Sequence, residues 1–88
     1  MTENHIPKFL RGVRIQFDKV RSIYVMLGPE RALMLDTVSY EILSKVDGEN
    51  TIKSIIDDLK KKYKAPRVKI SEDTIALIDS LIEKRFLN

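Results

Sequence analysis

Residues 23–43 read IYVMLGPERALMLDTVSYEIL, and a change of hydrophobic period inside this stretch decides the fold. Ile23, Val25 and Leu27 alternate with Tyr24 and Met26; Gly28-Pro29-Glu30 interrupts; then Leu33 and Leu35 alternate with Ala32 and Met34. A period of two on both sides of a Gly-Pro break predicts two strands joined by a tight turn, since Gly tolerates positive φ and Pro has no amide proton for a ladder. Ile23, Val25 and Leu27 read as the apolar set of the first of these strands. At Asp36 the period becomes 3.6. Asp36 is a suitable N-cap, and Val38, Ile42, Leu43 and Val46 then fall on one helical face.

Upstream, Val13, Ile15 and Phe17 alternate with Arg14, Gln16 and Asp18, which predicts a further strand. The first ten residues show no period and are expected to be a flexible N-terminal tail (1–10), with a single domain over 11–88. Downstream, Asp47-Gly48 ends the first helix and Thr51 can cap a second, in which Ile52, Ile55, Ile56, Leu59 and Tyr63 form an amphipathic stripe. Ala65-Pro66 stops it. Ser71 is expected to cap a third helix, with Glu72 and Asp73 in its first turn and Lys84 and Arg85 in its last, all favourable to the helix dipole. The order is therefore a three-stranded antiparallel sheet followed by three helices, an α+β, winged-helix-like domain.

The chain has 88 residues, no cysteine and one histidine. At roughly 100–200 residues per domain this is one small unit, and a chain of this size buries only about 60–65% of its unfolded surface, enough for one modest core. Thiol nucleophiles, disulfides and zinc-thiolate sites are excluded, and a small fold without staples suits a reducing cytosol. No apolar run approaches a signal peptide or a membrane span, so a cytoplasmic protein without a membrane partner is expected.

No catalytic constellation emerges. Asp57-Asp58 and Glu72-Asp73 are adjacent carboxylates, but successive helical residues point about 100° apart and do not converge on one substrate. His5 has no second ligand near it in sequence, and the glycines form no phosphate loop; neither a metal nor a cofactor is called for. The net charge of +3 is concentrated in residues 45–69, where eight bases face four acids. Lys60, Lys61, Lys62, Lys64, Arg67 and Lys69 make up a basic cluster that reads as a solvated face, a protein contact or, less well, a nucleic-acid contact. A DNA-reading third helix would carry polar side chains, whereas this one carries Ile75, Leu77, Ile78, Leu81 and Ile82 among acids.

That apolar arc spans roughly half the helix circumference. Either the helix is wedged deeply into the core, or one side of it lines an open groove with Ile75, Ile78 and Ile82, and Arg85 near its end. The third strand lies at a sheet edge, and neither Lys nor Pro interrupts it between Arg31 and Asp36. An extended peptide can add there, with Leu33, Met34 and Leu35 supplying the strand and Arg31 and Arg85 steering acidic groups. The same edge can join a second copy; a monomer is expected to be the functional form, with a weak dimer as the alternative.

Arg11-Gly12-Val13-Arg14, Phe17-Asp18-Lys19-Val20-Arg21, Leu27-Gly28-Pro29-Glu30-Arg31, Leu35-Asp36, Asp47-Gly48, Thr51-Ile52, Asp57-Asp58-Leu59, Tyr63 with Ala65-Pro66, and the closing 81–87 segment occur in one order and spacing. In these residues the chain resembles the pyrroloquinoline quinone (PQQ) biosynthesis protein D family, PqqD. The resemblance implies a non-catalytic peptide chaperone, a RiPP recognition element. Such a domain binds the leader of the precursor peptide PqqA as a strand beside the third helix and presents it to the radical SAM enzyme PqqE. The leader-peptide recognition domains of other such pathways, and DNA-binding winged helices, are the alternatives.

Overall fold

The computed structural model describes residues 1–88. Strands β1 (Arg14–Asp18), β2 (Ile23–Leu27) and β3 (Ala32–Leu35) form an antiparallel sheet in the order β1-β2-β3, followed by helices α1 (Thr37–Leu43), α2 (Ile52–Lys62) and α3 (Arg67–Glu83). Element order and sheet type are those expected. Asp36 caps α1, its carboxylate accepting the Ser39 amide at 2.7 Å, and Thr51 caps α2, its hydroxyl accepting the Ser54 amide at 3.1 Å. Between them the Asp47 carboxylate accepts the amides of Glu49 and Asn50, while Gly48 takes φ +81°. The stripe of α2, Ile52, Ile55, Ile56 and Leu59, is wholly buried against Ile42 and Leu43 of α1, Ile70, Ile78 and Leu81 of α3, and Met26 and Leu35 of the sheet.

The phase of β2 is opposite to the one expected. Cross-strand partners are Ile15↔Met26↔Leu33 and Phe17↔Tyr24↔Leu35, so Met26 is fully buried and Tyr24 stacks on Tyr40 of α1 at 3.7 Å between ring centroids. Ile23, Val25 and Leu27 therefore face away from the helices. The cause is parity: each turn joins its strands so that odd-numbered residues pair with even-numbered ones, and a sheet face defined by Ile15 and Leu33 must take even residues from β2.

Helix α3 begins at Arg67, a turn earlier than Ser71. Pro66, with φ −60°, precedes it, and its carbonyl accepts from Lys69 and Ile70; proline at a helix start loses only an amide that the helix leaves unbonded. At the other end the Phe86 amide donates to the Leu81 carbonyl at 2.9 Å and the Arg85 amide to Ile82 at 3.1 Å. This is a Schellman closure, in which the residue after the cap takes the left-handed conformation. That residue is Arg85, at φ +68°, so Arg85 lies beyond the helix and not within its apolar arc.

The first ten residues are bound to the fold, contrary to the flexible tail expected. The carbonyls of His5 and Glu3 accept the amides of Ile52 and Lys53, both at 2.9 Å, and Lys8 exchanges two backbone bonds with Asn88. The Glu3 carboxylate is gripped by the Arg67 guanidinium at 2.7 and 3.2 Å and accepts the Ser71 hydroxyl at 3.0 Å. The amides of Ile52 and Lys53 belong to the unsatisfied first turn of α2. Pro7 is buried and Phe9 packs on the core as well, but backbone bonds and scattered side-chain anchors make no regular hydrophobic period, which is why the sequence does not signal the segment.

Candidate functional site

The candidate site is built on β3, which like β1 lies at an edge of the sheet with β2 as its single neighbour. Gly28 and Arg31 close the β2–β3 turn, the Gly28 amide donating to the Arg31 carbonyl at 2.8 Å. Counting from that pair, antiparallel alternation turns the backbone groups of Leu33 and Leu35 toward β2 and those of Ala32 and Met34 toward the open edge. The Met34 side chain is 64% exposed. The φ of Gly28 is not positive; a Cβ there would stand 3.2 Å from Cε1 of Phe86, so a larger residue would require the ring to give by a few tenths of an ångström.

The eight residues assigned from sequence separate into three groups. Arg31 and Arg85 come together at the end of α3, flanking a depression of about 220 Å³ with Pro29, Glu30 and Phe86. Arg31 donates to the Lys84 carbonyl at 2.8 Å and lies 5.8 Å from the Phe86 ring centre, so it ties the β2–β3 turn to the exposed carbonyls of the helix end. Leu33 is half-buried and Met34 exposed, as an edge strand with one face inward requires; Ile75 and Ile82 are half-buried along α3. Leu35 and Ile78, at 7% and 0% exposure, belong to the core and line no open groove. The wide arc of α3 is accordingly spent mostly on wedging the helix into the core: Thr74, Ile78 and Leu81 are buried at its centre, with Ile75, Leu77 and Ile82 packed at its margins.

A second depression, of about 150 Å³, lies between the three helices and is lined by Val38, Ile42, Tyr63, Ala65, Ile70 and Thr74 among others. Thr74 is wholly buried and its Oγ1 has no hydrogen-bond partner. Thr74 lies outside the sequence-assigned set because a threonine in an apolar arc reads as filler. Val38, expected on the buried face of α1, is 48% exposed at the rim of this depression.

Most of the basic cluster is already neutralised. Lys62 donates to Glu41 at 2.8 Å, Lys61 lies 3.8 Å from Asp58, Lys69 lies 3.2 Å from Asp73, and Arg67 is shared by Glu3 and Asp57, leaving Lys60 and Lys64 without acidic partners. Hydrogen bonds from Lys62 and Tyr63 hold the Glu41 carboxyl below its ordinary range, and Glu41 in turn raises both Lys62 and Tyr63. Asp57 and Asp58 are each engaged by a neighbouring cation and do not converge. No three His, Cys, Asp or Glu side chains gather where they would hold a metal ion. No helix is long and apolar enough to cross a membrane.

A three-stranded antiparallel meander followed by three helices, with β1 and β3 at its open edges, defines a small α+β domain. The family model of Coenzyme PQQ synthesis protein D (PqqD) matches residues 24–87. The chain belongs to the PqqD family. It is 39% identical over 87 residues to the PqqA binding protein of Rhodopseudomonas palustris (strain HaA2), covering 99% of this chain and 85% of that one. It is 34% identical to the PqqA binding protein of Gluconobacter oxydans, over all of this chain and 92% of the relative. Among solved structures it is similar to the PqqD truncation of Methylobacterium extorquens PqqCD, described as a functional, stand-alone RiPP recognition element, with TM-score 0.85 and 37% identity over 99% of this chain and 93% of that one. The crystal structure of PqqD from Xanthomonas campestris gives TM-score 0.60 at 30% identity, covering 97% and 94%.

Proposed function

We propose that this chain is a non-catalytic chaperone for the precursor peptide PqqA in PQQ biosynthesis. It takes the peptide as a fourth strand on β3 and delivers it to the radical SAM enzyme PqqE. The observation that carries this reading is the β3 edge, where Ala32 and Met34 turn their backbone groups outward with no partner strand. Names of relatives as PqqA binding proteins support the choice of peptide. Backbone bonds to Ala32 and Met34 supply affinity; Leu33 and Met34 meet alternate peptide side chains on the two faces; Ile75 and Ile82 form the apolar wall; Arg31 and Arg85 attract acidic groups. Leu35 and Ile78 support this surface from beneath.

The domain brings no reactive group to the chemistry. Its contribution is to raise the effective concentration of the peptide at the enzyme, which works in the cytoplasm as a monomer because the peptide needs the edge that a second copy would occupy. Met34→Pro tests the mode directly, since it removes an outward amide without touching the β2 ladder. PqqA affinity, measured by fluorescence anisotropy, is expected to fall about 10-fold or more, on the scale of a lost backbone hydrogen bond plus a disturbed neighbour. Unchanged affinity in a folded variant rejects strand addition. The DNA-binding alternative requires a steep loss of duplex affinity with salt; the internal pairing of the lysine cluster argues against it.

A further inference from the structure

Apart from Met34 at its margin, the outer face of the sheet is used neither by the core nor by the proposed peptide site. Two cross-strand rows run over it, Arg14–Leu27–Ala32 and Gln16–Val25–Met34, with Asp18 opposite Ile23. Ile23, Val25, Leu27 and Met34 are absent from the set of side chains packed on the core. A sheet with one face on a core ordinarily shows polar side chains to water on the other, yet here β2 and β3 carry a continuous apolar strip in which Ile23, Val25 and Leu27 are half-buried and Met34 is exposed. A depression of about 500 Å³ lies over it, bordered by Lys19, Arg21, Val25, Leu27 and Ala32.

The rim is basic. Arg14, Lys19 and Arg21 surround the strip; the one carboxylate among them, Asp18, accepts the amides of Val20 and Arg21 and lies 3.9 Å from the Arg21 guanidinium, which leaves Arg14 and Lys19 as the rim cations without an acidic partner. The Arg21 guanidinium reaches over the strip to within 3.6 Å of the Met34 sulfur. Two copies meeting through this face would bring their cations together, so the complement is a different surface, apolar at its centre and carboxylate-rich at its edge. The face is also continuous with the β3 edge. A strand added there projects every second side chain onto this same surface, next to Ala32 and Met34.

We infer that the outer sheet face is the docking surface for the peptide-modifying enzyme, which meets it with an apolar patch ringed by Asp and Glu. This inference rests on the proposed delivery of a peptide to such an enzyme. A protein seated on this face touches the domain and the outward side chains of the added peptide together, and therefore binds the loaded domain more tightly than the empty one.

The test uses the full chain, PqqA and PqqE. Arg14→Glu/Lys19→Glu reverses two exposed rim charges, and Val25→Thr makes the strip polar with a side chain of the same branching. Calorimetric titration is expected to show PqqE affinity lowered at least about tenfold by the charge reversal, a smaller loss for Val25→Thr, PqqA affinity within about twofold of the parent, and tighter PqqE binding by the loaded parent than by the empty one. Parent-like PqqE binding by both variants overturns the inference. So does a parent that binds PqqA but not PqqE, a parallel loss of PqqA binding in both variants, or a parent dimer in sedimentation that the variants dissolve, which would assign the face to a second copy. A parent that fails to bind PqqA sinks the chaperone reading itself, and the parent peptide titration reports that outcome separately.

Discussion

At the scale of single residues, Arg85 joins backbone strain to the proposed role in recognition. It closes α3 at φ +68°, where helices usually place glycine. A non-glycine residue there costs roughly 1–2 kcal/mol, and a replacing glycine gives back about 0.5–1 kcal/mol through the entropy of the unfolded chain. Arg85→Gly is therefore expected to stabilise the fold by about 0.5–1 kcal/mol in urea unfolding while weakening binding of acidic peptide segments. Stabilisation with undiminished peptide affinity would mean that Arg85 has no part in recognition. The caps at Asp36 and Thr51 were legible in the sequence because capping chemistry is local. Arg85 reads from sequence as a residue of the last turn of α3, whereas it lies two residues beyond Glu83, because a left-handed arginine has no sequence signal of its own. Leu35 and Ile78 were misassigned for another reason: hydrophobic pattern marks an apolar face but does not say how much of it the neighbouring elements cover.

At the scale of elements, the N-terminal segment and the phase of β2 are the two points where periodicity fell short. The segment is held by α2 amides, by Asn88 and by Glu3 on Arg67 and Ser71. Hydrogen bonds from Arg67 and then Ser71 hold the Glu3 carboxyl below its ordinary range. A depressed folded-state pKa means that the contribution is complete above the ordinary glutamate range and is lost as pH falls through the lowered value. Hydrogen-exchange protection of the Lys53 amide, which donates to the Glu3 carbonyl, is expected to decline across that acidic window ahead of the α2 core amides. In Glu3→Gln it should be reduced at neutral pH as well. Equal protection of Lys53 in variant and parent at neutral pH would show that the backbone bonds alone hold the segment. For β2, the alternation is legible but its phase is misread, since Ile23, Val25 and Leu27 are at least as apolar as Tyr24 and Met26 and yet face outward. Counting turn residues, which sets pairing parity, resolves the choice.

At the scale of the whole molecule, the proposed peptide and a second copy of the chain would compete for one edge strand. A single open edge on β3 can take a peptide or another copy of itself, and not both. Added PqqA is therefore expected to shift any self-associated protein toward monomer in sedimentation velocity; a dimer that persists at saturating peptide would show that self-association uses a different surface. What the sequence by itself determined is the order of strands and helices, the capped starts of α1 and α2, the buried stripe of α2 and the open third strand. All of these rest on local periodicity and on residues whose conformational preferences act within a turn or two. Only the tertiary structure decided which face of β2 meets the helices, that the apolar arc of α3 is mostly core, that the first ten residues are bound, and that an apolar, basic-rimmed surface remains on the outside of the sheet. These depend on which elements cover one another, and burial is a property of the packed pair that neither member's sequence specifies alone.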